Sequence, residues 1–118
     1  MKKQKSITLW GTGKAKREFI HVDVMASGII HILENYRENS TINLGTGEEV
    51  TIAKLSKTIS KIIGYTGNIN FDEKKPDGIK RKILSNKKLE KLKWKSRISL
   101  EKGLELAYLD YQNYLKKS

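Results

Sequence analysis

The chain has no cysteine, a single proline and only two histidines in 118 residues. Without cysteine there is neither a disulfide framework nor a thiolate zinc site, which fits a reducing, cytoplasmic setting. No apolar run approaches the roughly 20 residues that span a bilayer. The opening Met1-Lys2-Lys3-Gln4-Lys5-Ser6 is basic but leads into no long apolar region, so it does not read as a signal peptide. Hydrophobic residues make up 37% and charged residues 31%, so one domain with a small core is expected. Catalytic signatures are lacking too. There is no Gly-x-Ser-x-Gly elbow and no Walker loop. His21 and His31 have no carboxylate pattern around them that would make a metal site, and His31, between Ile30 and Ile32, reads as structural. On residues alone there is no self-sufficient active site, and no metal is expected.

What the chain does have is positive charge. The formal net charge is +11. Half of the 24 Lys and Arg residues lie between Lys74 and Arg97 together with Lys102. Such a stripe suits phosphate contacts. Lysine outnumbers arginine heavily, however, and base-reading interfaces lean on arginine. A solvated lysine surface is the plainer reading, and neither a nucleic-acid nor a membrane partner is expected.

Periodicity gives mixed elements. Residues 6–10 and 68–72 are β-branched and apolar enough for strands, and residues 18–22 and 41–44 read the same way. Gly11-Thr12-Gly13 and Gly45-Thr46-Gly47 read as turns. Asp23 can cap a helix whose apolar side is Met25, Ala26, Ile29, Ile30, Leu33 and Tyr36, ending near residues 38–40. Thr51 can cap the next helix, with Ile52, Leu55, Ile59, Ile62 and Ile63 on its buried side and Gly64 ending it. Residues 74–78 form a loop around Pro76, and residues 82–84 form a short extended piece. Ser85 or Asn86 can cap a short helix carrying Leu89 and Leu92. Ser99 can cap a last helix with Leu100, Leu104, Ala107, Tyr108, Tyr111 and Leu115 on one face. The whole is a small mixed α+β lobe of the α/β class.

Four residues stand out as ligand-binding candidates. Trp10, beside a glycine turn, offers a flat face to a base, although alone it reads equally as a core tryptophan. The planar fork of Arg17 suits a diphosphate, although surface cations abound here. Asp77, between Pro76 and Gly78, can accept hydrogen bonds from a ligand, although Pro-Asp-Gly is an ordinary turn. Lys82 can neutralise phosphate. Gly11-Thr12-Gly13 lacks the third glycine of the dinucleotide fingerprint, and a turn explains it fully.

These blocks together resemble the GDP-L-fucose synthase family of the extended short-chain dehydrogenases. The likeness runs through Leu9-Trp10-Gly11-Thr12-Gly13, Arg17-Glu18-Phe19-Ile20-His21-Val22-Asp23 and Ile42-Asn43-Leu44-Gly45-Thr46-Gly47. It continues through Gly64-Tyr65-Thr66-Gly67, Lys75-Pro76-Asp77-Gly78 with Arg81-Lys82, and Trp94 with residues 98–104. Departures are Val24, Ile79-Lys80, Ser85 and Lys93, where the family usually has Asp, Thr-Pro, Asp and Gly. They fall in caps and turns.

The resemblance implies that residues 1–118 are the C-terminal nucleotide-sugar-binding lobe of a Rossmann-type enzyme. That enzyme converts GDP-4-dehydro-6-deoxy-D-mannose to GDP-L-fucose by epimerisation and reduction. Trp10 would then lie in the nucleotide pocket, Arg17 and Lys82 would hold the diphosphate, and Asp77 would hydrogen-bond the GDP-sugar. The family's catalytic Ser, Tyr and Lys and its NADPH site belong to an N-terminal domain, so this chain is expected to hold no catalytic or cofactor-binding residue and to be inactive alone. The family's enzymes are commonly homodimers. Two other readings stand beside this one: the substrate lobe of another nucleotide-sugar epimerase or dehydratase, such as one acting on a UDP-hexose, and a basic lobe that binds nucleic acid without catalysis.

Overall fold

The computed structural model describes residues 6–82 and 85–117, apart from the side chains of residues 81 and 82. Two small sheets and four helices make up the regular structure of the described residues. Strand β1 (Ser6–Trp10) runs parallel to β4 (Asn68–Asp72), pairing Ser6 with Asn68 and Trp10 with Asp72. The second sheet has the order β3-β2-β5. Its centre, β2 (Lys16–Arg17), lies antiparallel to β3 (Val50–Thr51) and parallel to β5 (Arg81–Lys82). The helices are α1 (Val22–Asn35), α2 (Ile52–Ile63), α3 (Lys87–Lys91) and α4 (Leu100–Lys117).

Local signals account for several boundaries. The Thr51 hydroxyl accepts from the Lys54 amide at 3.1 Å and starts α2, and Gly64 ends that helix at φ 79°. The Ser99 hydroxyl accepts from the Lys102 amide at 3.2 Å at the start of α4. Three expectations need correction. Residues 18–22 form no strand: pairing stops at Arg17, and His21 caps α1 in place of Asp23, its Nδ1 accepting from the Asp23 amide at 3.1 Å. Residues 41–44 join no ladder among the described residues, although Ile42 and Leu44 do alternate onto the core. Asn86 is the cap residue of α3 but makes no side-chain capping bond there, because its carboxamide oxygen accepts from the Gly45 amide at 3.1 Å. Of the extended piece expected at 82–84, residues 83 and 84 lie outside the described residues.

The core is Val24, Leu89 and Trp94, ringed by Ile20, Ile32, Ile42, Leu44, Leu92 and Ile98. The Trp94 indole donates to the Ser27 hydroxyl at 3.2 Å. This reverses the expected packing of α1, which buries Val24 and Gly28. Its expected apolar side is open instead, with Ile30 56% and Leu33 74% exposed. Gly28 decides the choice. A Cβ there would sit 2.5 Å from Leu44 Cδ1 and 3.2 Å from the Trp94 ring, so only that bare face admits close packing. The apolar side of α2 is likewise half open: Ile52, Leu55, Ile59 and Ile63 face Ile7, Leu9 and Ile69 across a cleft of about 330 Å³. The expected face of α4 packs only in its first half. Leu104 and Tyr108 are partly covered, while Tyr111 and Leu115 are exposed. The radius of gyration, 17.2 Å, exceeds the roughly 13–14 Å of a compact domain this size. The lobe is therefore extended rather than closed around one core. No helix among the described residues is long and apolar enough to cross a membrane.

Candidate functional site

The end of β1 and the loop at 74–78 are joined by backbone bonds. The Asp72 carbonyl accepts from the Gly11 amide at 2.9 Å and from the Lys75 amide at 3.0 Å. The Lys74 amide donates to the Asp72 carboxylate at 3.1 Å. Trp10, the last residue of β1, is left 68% exposed, with Lys75 Nζ 5.2 Å from its ring centroid. The indole is thus a surface group and not a core residue, and a cation sits over it at cation–π range.

The loop then turns back onto the Gly11-Thr12-Gly13 turn. The Thr12 amide donates to Asp77 Oδ1 at 2.7 Å, and the Thr12 hydroxyl donates to Oδ2 at 2.7 Å. The hydroxyl itself accepts from the Lys14 amide at 3.2 Å, which turns its proton toward Asp77. The Thr12 hydroxyl and amide hold the Asp77 carboxyl below the usual aspartate range, and the Gly13 amide and the charge of Lys14 add to this. Gly11 is at φ 91°, and any Cβ there would run into the Asp77 carboxylate.

Arg17 reaches the same place from β2. Its Nη1 donates to the Lys16 carbonyl at 2.7 Å, using one of the five guanidinium donors. A Cβ on Gly78 would stand 3.7 Å from Arg17 Nη2, so the fork lies against the loop beside Asp77. The Lys16 amide donates to the Lys80 carbonyl at 2.9 Å, and Arg17 is in register with Lys82. The fold thereby gathers Trp10, Asp77 and Arg17 with the backbone of Lys82, although they span more than 70 residues of sequence. The side chain of Lys82 lies outside the described residues. Sequence reasoning missed Thr12 and Lys75. The available signal was a hydroxyl between two turn glycines and a cation two residues before Asp77.

A second carboxylate closes the other glycine turn. Glu18 Oε2 accepts from the Gly47 amide at 2.6 Å and from the Thr46 hydroxyl at 3.3 Å. These contacts test whether the turns fit a dinucleotide cofactor. They do not: Asp77 fills the cradle at Gly11, the Phe71 ring fills that at Gly13, and Glu18 fills that at Gly45. Among the described residues, no group of three His, Cys, Asp or Glu is placed to hold a metal.

Residues 1–45 match the model of the NAD dependent epimerase/dehydratase family. The GDP-L-fucose synthase of Escherichia coli is 45% identical over 111 residues, which is 86% of this chain and 35% of that protein. The chain spans about a third of the length of the curated relatives it matches. A GDP-6-OMe-4-keto-L-xylo-heptose reductase from Campylobacter jejuni superposes with a TM-score of 0.85 at 32% identity, covering 93% of this chain and 34% of that one. A UDP-glucose 4-epimerase from Thermotoga maritima, solved with UDP-glucose, gives 0.81 at 27% identity over 93% and 36%.

Proposed function

Because this chain is a homologue of the GDP-L-fucose synthases of the NAD dependent epimerase/dehydratase family, we propose that it forms the nucleotide-sugar-binding lobe of such an enzyme. The convergence of Trp10, Asp77 and Arg17 on one edge of the lobe carries this reading. Trp10 offers its ring to the nucleotide. Arg17, with Lys82 beside it in the sheet, neutralises the diphosphate. Asp77, exposed in its loop, offers its carboxylate to hydrogen-bond donors of the GDP-sugar. The reaction we assign to the whole enzyme is conversion of GDP-4-dehydro-6-deoxy-D-mannose to GDP-L-fucose, by a cytoplasmic homodimer.

NADPH supplies the hydride in that reaction. The glycine turns of this chain are closed over its own side chains, so we assign no described residue to the cofactor. Accordingly, the chain alone should oxidise no NADPH when given the keto-sugar. NADPH consumption by the purified chain would overturn that assignment.

Calorimetric titration of the chain with GDP, UDP and a short DNA duplex tests the binding reading. GDP should bind, and Arg17→Ala should weaken it about tenfold or more. Equal affinity for UDP would move the substrate to another nucleotide sugar, as the likeness to the UDP-glucose 4-epimerase allows. Binding only to DNA, with a steep salt dependence, would replace the reading with a nucleic-acid one.

A further inference from the structure

The segment after α3 alternates in exposure. Lys93, Lys95 and Arg97 are exposed, whereas Trp94 is buried and Ser96 is partly covered. The covered side is pinned. His31 Nε2 donates to the Leu92 carbonyl at 2.6 Å, the Trp94 indole donates to the Ser27 hydroxyl at 3.2 Å, and the Ser96 hydroxyl donates to the Ile98 carbonyl at 3.0 Å. Between this segment and α1 lies an open groove of about 660 Å³, lined by Ser27, Ile30 and Glu34 on one wall and by Lys93, Lys95 and Arg97 on the other.

Among the described residues, none of these three cations has an ion pair. The Ser27 hydroxyl, which accepts from the indole, keeps its own proton to donate. Lys93 is also the only described residue other than glycine at positive φ, at 62°. A lysine is strained there and a glycine would not be, and strained positions of this kind cluster at ligand clamps. The groove shares no residue with the edge that carries Trp10, Arg17 and Asp77.

We propose that this groove is an anion site for a small phosphate monoester, separate from the nucleotide edge. The three cations neutralise the phosphate oxygens, and Ser27 donates to one of them. Glu34, on the opposite wall, narrows the class of ligand. It repels a polyanion laid along the groove and accepts from a hydroxyl of a small ligand. The site stands whether or not the edge at Trp10 and Arg17 binds a nucleotide.

The test is an amide NMR titration of the labelled full chain with inorganic phosphate at constant ionic strength. Resonances of Ser27 and of residues 93–97 should shift together and saturate. They should do so equally in Arg17→Ala, which removes the other candidate phosphate ligand. Lys95→Ala and Arg97→Ala should each weaken the affinity about two- to fivefold, and Lys88→Ala should leave it unchanged. The sharpest variant is Lys93→Gly. Glycine takes a φ of 62° without strain, so the melting temperature should hold or rise while phosphate affinity falls by a similar factor. Glycerol phosphate should bind more tightly than inorganic phosphate and lose that advantage in Glu34→Ala.

Shifts that do not saturate, shifts spread equally over the lysines, or an affinity unchanged in both Lys93→Gly and Arg97→Ala would overturn the proposal. So would loss of the shifts in Arg17→Ala, which would return the phosphate to the nucleotide edge. Weaker binding of glycerol phosphate than of inorganic phosphate would remove the monoester as ligand. A single-stranded oligonucleotide that binds residues 93–97 more tightly than phosphate, with a steep salt dependence, would replace it with nucleic acid.

Discussion

The two Gly-Thr-Gly turns use one chemical device in two settings. In each, a threonine hydroxyl and a backbone amide donate to a carboxylate from a distant part of the chain. Successive amides at a turn make a concavity that attracts anions, and here the anion is the protein's own. The settings differ. Glu18 is half-buried, and its turn is backed by Asn86 at the start of α3, whose Leu89 is fully buried. Asp77 lies in an exposed loop, and its turn borders Trp10 and Arg17. The second turn is thus tied into the core, and the first is tied into the candidate site. A glycine turn of this kind is no evidence for a phosphate ligand until one knows what fills it.

The largest effect should come from the core behind the second turn. Leu89→Ala deletes a fully buried side chain and should cost about 2–5 kcal/mol in thermal or denaturant unfolding. Below the melting range the Thr12 amide resonance should stay where it is; if it moved, the two turns would not be independent. Gly11→Ala attacks the first turn. It combines a φ of 91° with a clash against Asp77, and the backbone strain alone should cost about 1–2 kcal/mol. GDP affinity should fall with it, and full retention of affinity would separate the Thr12–Asp77 contact from the candidate site. The smallest effect should follow from Lys88→Ala. Lys88 bonds only to Ser40 and Thr41 among the contacts described, on an exposed surface. Its removal should change stability by less than about 0.5 kcal/mol and leave GDP binding as it was. Lost GDP binding in this variant would favour a diffuse basic surface over a defined site.

Much of the fold was legible because the signals are local. The strands at 6–10 and 68–72, the Thr51 cap and the Gly64 stop each depend on a few neighbouring residues. The packing face of α1 was not legible. The most apolar stripe, through Ile29, Ile30 and Leu33, is the open one. The buried one is set by Gly28 meeting Leu44 and Trp94, which lie 16 and 66 residues away. Residues 18–22 look like a strand by composition, yet the His21 imidazole starts a helix there. At the site, Trp10, Arg17 and Asp77 could be chosen by chemical type. The Thr12–Asp77 bond could not, since no periodicity links residues 65 positions apart.

The central claim is that one edge of this lobe recognises a guanine nucleotide through Trp10 and Arg17. The most direct measurement is a two-dimensional amide NMR spectrum of the labelled chain with and without GDP. The account predicts dispersed peaks, with the Trp10 indole, the Arg17 amide and the residues 74–78 shifting together and saturably, while Lys88 and the second glycine turn stay fixed. A dispersed spectrum that GDP leaves unchanged, or shifts spread evenly over the lysine-rich segment, would contradict it.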